Sequence, residues 1–465
     1  MRHLRKLNIT ITLLGIVSAP LRADEVDDYV AARMKALRVP GLSLAVIRNG
    51  QVVKAKGYGL ANVELSAPAT EETVYEIGSV TKTFTATAVM MLVEEGKLGL
   101  DDPITQILPD LPAAWKDIKV RHLLTHTSGI KSYTAVGDFF KLARNDHTPD
   151  EILKLVSGRP LDFPAGEKWL YNNTGYYLLG LIVEKASGQR LAGFLAERIF
   201  KPLGMDKTRP NNPSEIIPHR ASGYGEMLGV RFNREPLRPS AAGAAGFLIS
   251  TVGDLAKWDA ALREERLLRA SSYQQMYTPV RLQGGETRPY GFGWGVEDYF
   301  GHRLLHHGGG TPGFSSTITR FPDDRVTVIV LANLAGLDAG RLALGIARLV
   351  APELTLKAAK TTPDPDPKTT ERLRSFLADL LAGKLVLDAV TPEMGQHFLT
   401  EPARKTLRTI AHDGELRAFE LLGRAVEGKA TTLRYRAIVG DAYYLVTLHL
   451  TAEGKIAGLT TAKDE

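Results

Sequence analysis

Ser79 and Lys82 stand three residues apart in Gly78-Ser79-Val80-Thr81-Lys82, where an extended run over residues 73–77 gives way to residues 83–95, apolar on nearly every side. That pattern predicts a helix buried in a core, with both side chains on one face of its start. A hydroxyl beside a partly desolvated amine is a candidate nucleophile, because burial lowers a lysine pKa. The helix start adds unpaired N–H groups and a positive dipole end that favour developing negative charge. The same spacing recurs at Ser128 and Lys131, in a loop-like Thr-Ser-Gly setting with no buried helix after it. Spacing alone therefore decides nothing, and a plain helix start with a solvated lysine is the competing reading.

Acyl-bond cleavage needs more than this pair: a proton carrier, donors for an oxyanion and a group that orients the substrate. Tyr171 and Asn173 offer a phenol and an amide where a loop enters a helix expected over residues 177–187. His306-His307-Gly308-Gly309-Gly310 ends an expected strand, and its glycines let a substrate backbone approach or mark a tight turn. His122 and His126 are spaced like half a metal site, but the Glu of a His-Glu-x-x-His pattern is missing and structural roles are favoured.

The elements that must position these groups come from both ends of one domain. A helix over residues 26–37 precedes a hairpin, 42–48 and 52–59, turned at Asn49-Gly50. Strands are expected at 290–297, 302–307, 314–320 and 325–331, then a helix at 340–350. The expected fold is an α/β (α+β) sandwich, one antiparallel sheet built from both chain ends with flanking helices and a mostly helical insertion. A Pro- and Thr-rich linker at 357–370 leads to a small α+β unit at 371–465, a helix over 371–387 and three or four strands over 416–459, with no cluster that suggests chemistry.

Arg2, Arg5 and Lys6 followed by an apolar stretch and small residues near Ala23 read as an export signal over residues 1–23. It holds four of the positive charges behind the formal +6, so the body at +2 gives no reason to expect nucleic acid or an anionic membrane as partner. No later segment is apolar for long enough to span a bilayer, and the absence of cysteine is compatible with periplasm or secretion.

In its ordered motifs over about residues 25–350 the chain resembles the serine β-lactamase and penicillin-binding-protein superfamily, in its class C β-lactamase-like branch of carboxypeptidases, D-aminopeptidases and esterases. The motifs are Gly57-Tyr58-Gly59-Leu60, Ser79-Val80-Thr81-Lys82, His122-Leu123-Leu124-Thr125-His126-Thr127-Ser128-Gly129, Tyr171-Asn172-Asn173, Pro202-Leu203-Gly204-Met205, Ser250-Thr251-Val252-Gly253-Asp254 and His307-Gly308-Gly309. The resemblance implies a β-lactamase/transpeptidase-like domain over residues 24–356. It makes Ser79 the acylated nucleophile, Lys82 its activating amine and Tyr171 the general base and leaving-group acid. Asn173, His307 and Gly309 would bind substrate, and the N–H groups of Ser79 and Gly310 would form the oxyanion hole. Histidine in place of the family's lysine at position 307 titrates near neutrality and is shorter, which favours D-amino-acid amides, peptides or small esters over penicillin. No cofactor is implied; the expected partner is a small or peptide substrate, peptidoglycan fragments included. The alternative is a non-catalytic sensor or binder of cell-wall fragments.

Overall fold

The computed structural model describes residues 23–464 apart from 137, 138, 428 and 429. The expected export signal lies outside the described residues except for Ala23, which opens helix α1 (Ala23–Leu37). Strands β1 (Gly41–Arg48) and β2 (Gln51–Asn62) form the expected hairpin. Its two turn residues, Asn49 and Gly50, both take positive φ, 53° and 81°, which is the geometry that makes Asn-Gly a hairpin signal. A short β3 (Ala67–Pro68) follows β2. The principal helices of the long insertion are α2 (Thr81–Glu94), α3 (Asn173–Ser187) and α4 (Val252–Arg263). The chain then returns to the sheet with β4 (Gly295–Tyr299), β5 (His302–Gly310), β6 (Ser315–Phe321) and β7 (Val326–Ala332), and α5 (Ala339–Val350) closes the domain.

The sheet runs β4-β5-β6-β7-β1-β2-β3 with every pair antiparallel. Leu42 lies opposite Ala332 and Arg48 opposite Val326, so the two ends of the domain meet inside the sheet. Side chains alternate across β1: Leu42, Leu44 and Val46 enter a core with α1 and α5, while Ala45 and Ile47 enter the larger core built on the inserted helices. Burial on both faces explains why β7 reads as an almost unbroken apolar run. In the larger core Phe84 of α2 stacks on Trp258 of α4 at 4.3 Å between ring centroids.

Several expected bounds shift for local reasons. The run at 73–77 forms a strand only over Tyr75–Glu76, paired with Leu248–Ser250 rather than in the main sheet, and Val74 adds an isolated parallel bridge to Arg220. Helix α3 begins at Asn173 instead of 177, because the Asn172 side chain accepts the Gly175 N–H at 2.8 Å and caps it. The strand expected from 290 begins at Gly295; Gly293, with φ 77°, breaks the extended run before it.

Beyond α5, α6 (Pro367–Leu381) starts at an Asp366 cap, and two helices that the sequence reading did not anticipate follow, α7 (Pro392–Phe398) and α8 (Glu401–His412). They cover the antiparallel meander β8 (Leu416–Glu427), β9 (Ala430–Val439), β10 (Ala442–Leu450) and β11 (Ile456–Lys463) around a separate core that includes Phe376, Tyr435 and Val446. The segment leading to it is pinned rather than loose. Arg436 donates to the carbonyls of Leu356, Lys357 and Ala359 at 3.2, 2.8 and 2.9 Å. Among the described residues no helix is long and apolar enough to cross a membrane.

Candidate active site

Ser79 is carried by a 3-10 turn, Gly78–Val80, that runs directly into α2. The Ile77 N–H bonds to the Leu248 carbonyl at 3.0 Å and fixes the approach to the turn. Gly78 then takes φ 47°, and a Cβ there would stand 2.9 Å from the backbone nitrogen and oxygen of Gly310. Glycine is required twice over, by backbone conformation and by contact. Its consequence is that the nucleophile candidate lies against the end of β5.

Lys82, one turn on, is fully buried. Its Nζ lies 3.0 Å from Ser79 Oγ, 2.8 Å from Asn173 Oδ1 and 2.9 Å from the Ala245 carbonyl oxygen. The rings of Tyr171 and Tyr176 face it at 4.8 and 5.4 Å. Among the described residues no carboxylate is bonded to it, and burial holds its pKa well below the ordinary lysine value. The acceptors sort the protons: Asn173 Oδ1 and the Ala245 carbonyl only accept, so a neutral amine gives them its two N–H bonds. The lone pair is left for the Ser79 hydroxyl, which can donate.

Tyr171 is half-buried just before α3, with its phenol in the neighbourhood of the Ser79 hydroxyl. Burial raises its phenol pKa, the nearby Ser79 hydroxyl opposing, so the phenol keeps its proton at rest. Asn173 is held for its role by both ends of its amide: Oδ1 accepts from Lys82, and Nδ2 donates to Thr134 Oγ1 at 3.0 Å. Its own N–H donates to Ser132 Oγ at 3.2 Å.

The end of β5 differs from the sequence reading in the state of His307. His307 is buried, with Nδ1 2.7 Å from the Gly308 carbonyl and Nε2 2.9 Å from the Tyr290 hydroxyl. The carbonyl requires Nδ1–H, so Nε2 accepts from the tyrosine. Burial pushes its pKa down to about 3, so this histidine is neutral rather than titrating near neutrality. Gly309, expected as a substrate contact, packs closely on the turn: a Cβ there would fall 2.0 Å from the Ile77 carbonyl oxygen and 2.3 Å from Ser316 Oγ. At Gly310 no atom lies within 4 Å of such a Cβ, and the residue is exposed.

Sequence reasoning missed the Ala245 carbonyl, which lies in an unremarkable run of alanines and glycines, and Tyr290, which no spacing links to His307. His122 and His126 do not converge on a common centre. Their Nδ1 atoms accept backbone N–H groups of Lys119 and Asn172, each at 3.1 Å, and among the described residues no group of three or more metal-ligating side chains occurs.

A protein-family model described as Beta-lactamase matches residues 26–351. The chain belongs to that family. Within it, Penicillin-binding protein 4* of Bacillus subtilis is 34% identical over 313 residues, 61% of this chain and 68% of that protein. Protein flp of Staphylococcus aureus is 28% identical over 316 residues, 67% of this chain and 63% of its own length, so the chain spans about two thirds of these relatives. Among solved structures, an octameric penicillin-binding protein homologue from Pyrococcus abyssi matches with TM-score 0.63 at 26% identity, covering 95% of this chain and 96% of that one. A D-amino acid amidase from Ochrobactrum anthropi matches with TM-score 0.60 at 28% identity, over 70% of this chain and 96% of its own. The β-lactamase family places this chain among serine hydrolases as a class.

Proposed function

We propose that the chain is an exported serine hydrolase that forms an acyl-enzyme on Ser79 and cleaves an amide or ester, with amides of D-amino acids or short D-peptides as the first substrate class to test. The observation that carries this is the buried amine of Lys82, 3.0 Å from Ser79 Oγ and without a carboxylate partner among the described residues. In acylation Ser79 Oγ attacks the carbonyl carbon, and its proton passes to the neutral Lys82 amine. Tyr171, which holds its proton at rest, relays rather than initiates that transfer: it takes the serine proton as it passes its own to Lys82, then gives a proton to the leaving nitrogen or oxygen as the scissile bond breaks while the Lys82 ammonium replaces it. The N–H groups of Ser79 and Gly310 receive the oxyanion, and Asn173 Nδ2 and the Gly310 edge guide the substrate. Water then attacks the acyl carbon, the acid leaves and Ser79 recovers its proton.

The neutral state of His307 supports amide and ester substrates over one whose carboxylate needs a fixed cation. The named activity of the D-amino acid amidase points the same way. Export rests on the composition of residues 1–23. A fluorophosphonate should label the wild type and not Ser79→Ala, and equal labelling of both removes the nucleophile assignment. Turnover across a panel of D-amino-acid anilides, a D-Ala-D-Ala peptide, acyl esters and a cephalosporin sets the substrate class. Stoichiometric labelling with no turnover on any of them would select the non-catalytic binder.

A further inference from the structure

His126 takes part in none of these steps, yet three costly features coincide on it. Its backbone is left-handed, φ 60°, a conformation that non-glycine side chains adopt under strain. Its imidazole is 1% exposed, and Nε2 has no hydrogen-bond partner. Both of its acceptors, meanwhile, close on the segment that carries the catalytic phenol. The His126 carbonyl accepts the Leu170 N–H at 3.0 Å, and Nδ1 accepts the Asn172 N–H at 3.1 Å. Tyr171 is thus bracketed one residue to either side by a single histidine. The imidazole also lies 4.4 Å from the Tyr171 ring, with Tyr290 at 4.6 and Tyr176 at 5.2 Å between centroids.

We propose that His126 is the positioning residue for Tyr171, fixing the backbone on both sides of it so that the phenol meets Ser79 while its ring faces Lys82. This rests on the reading of Tyr171 as the proton relay. Because Asn172 donates to Nδ1, the ring must be the neutral Nε2–H tautomer, and the groups facing it agree. Burial lowers its pKa well below the usual value, and any positive charge gained by Lys82 or His307 would push it the same way. Protonation would set N–H against N–H at Asn172 and open the bracket. Strain and an orphan donor persist at functional sites where surrounding contacts over-determine them, and here both hydrogen bonds that His126 accepts lead to the Tyr171 segment.

The test separates ring from acceptor. Asparagine suits a left-handed backbone and places an amide oxygen near the position of Nδ1, but leaves a cavity where the ring was. Phenylalanine keeps the ring and removes the acceptor. With a fluorophosphonate, His126→Asn should lower the thermal midpoint yet label within about threefold of the wild-type rate per folded molecule, whereas His126→Phe should label about a hundredfold more slowly. If His126→Phe does not fold, His126→Gln takes its place with the same expectation, since its amide oxygen extends past the Nδ1 position. A slow Asn variant, or a Phe or Gln variant that labels at the wild-type rate, overturns the proposal. Tyr171→Phe is measured alongside. If it labels like the wild type, the relay assignment itself fails; if it is slow while His126→Phe is fast, only the positioning role falls.

Discussion

Lys82 illustrates how much of the chemistry depends on one desolvated group. Its three neighbours would satisfy an ammonium, but two of them can only accept and the third can donate, which suits an amine with its lone pair on Ser79. The pH dependence follows with a definite sign. The amine must be unprotonated to receive the serine proton, and burial lowers its pKa, so acylation rises with pH through that lowered value and levels off well before the ordinary lysine range. Fluorophosphonate labelling measured against pH checks this, and an acidic limb at the ordinary lysine value contradicts it. Lys82→Arg keeps a cation that does not deprotonate, and its labelling rate should fall by about 10²–10⁴-fold. An arginine variant that labels normally would exclude the amine as base.

At the scale of elements, the site is a junction between the start of α2 and the last residues of β5. The Ser316 hydroxyl donates to the Ile77 carbonyl at 2.8 Å, so β6 secures the same turn from behind. The glycines of β5 answer to different demands, which gives a paired prediction. Gly309→Ala forces a methyl into the Ile77 carbonyl and should cost about 1–3 kcal/mol in urea denaturation, with slowed labelling as the turn shifts. Gly310→Ala adds a methyl in open space and should change stability by less than about 0.5 kcal/mol. Equal losses in the two variants would show that the strand end is not packed on the turn. The helical elements were legible in the sequence where a long apolar run marked them, as for α2. Their starts were less so, because the Asn172 cap and the 3-10 turn at Ser79 depend on hydrogen bonds that periodicity does not encode.

Taken whole, the molecule attaches its C-terminal unit away from Ser79. Arg434 pairs with Asp298 at 2.6 Å near the far end of β4, and Arg348 of α5 pairs with Asp464 at 2.6 Å. Asp298 lies opposite Arg303, at the end of the β4–β5 pair remote from Gly310. Removal of residues from 360 onward should therefore leave a folded domain that a fluorophosphonate labels within about threefold of the full-length rate, because contacts remote from the site add nearly independently. A soluble, folded truncation that does not label would make the C-terminal unit part of the site. The role of that unit was not legible in the sequence for a physical reason: its alternating strands and amphipathic helices announce a core, and a core is compatible with many tasks.

By itself the sequence determined which groups could do chemistry and the kind of domain that would bear them. Ser79 with a lysine three residues on, the Tyr171 and Asn173 pair, the Asn-Gly hairpin and the apolar strands are local patterns, and local patterns are written in the order of residues. The tertiary structure decided the states of those groups. Whether Lys82 is neutral, whether His307 is charged, which glycine faces solvent and which faces Ile77, and that His126 brackets Tyr171 all depend on residues far apart in the chain coming within about 3–5 Å, where burial and geometry set protonation and contact.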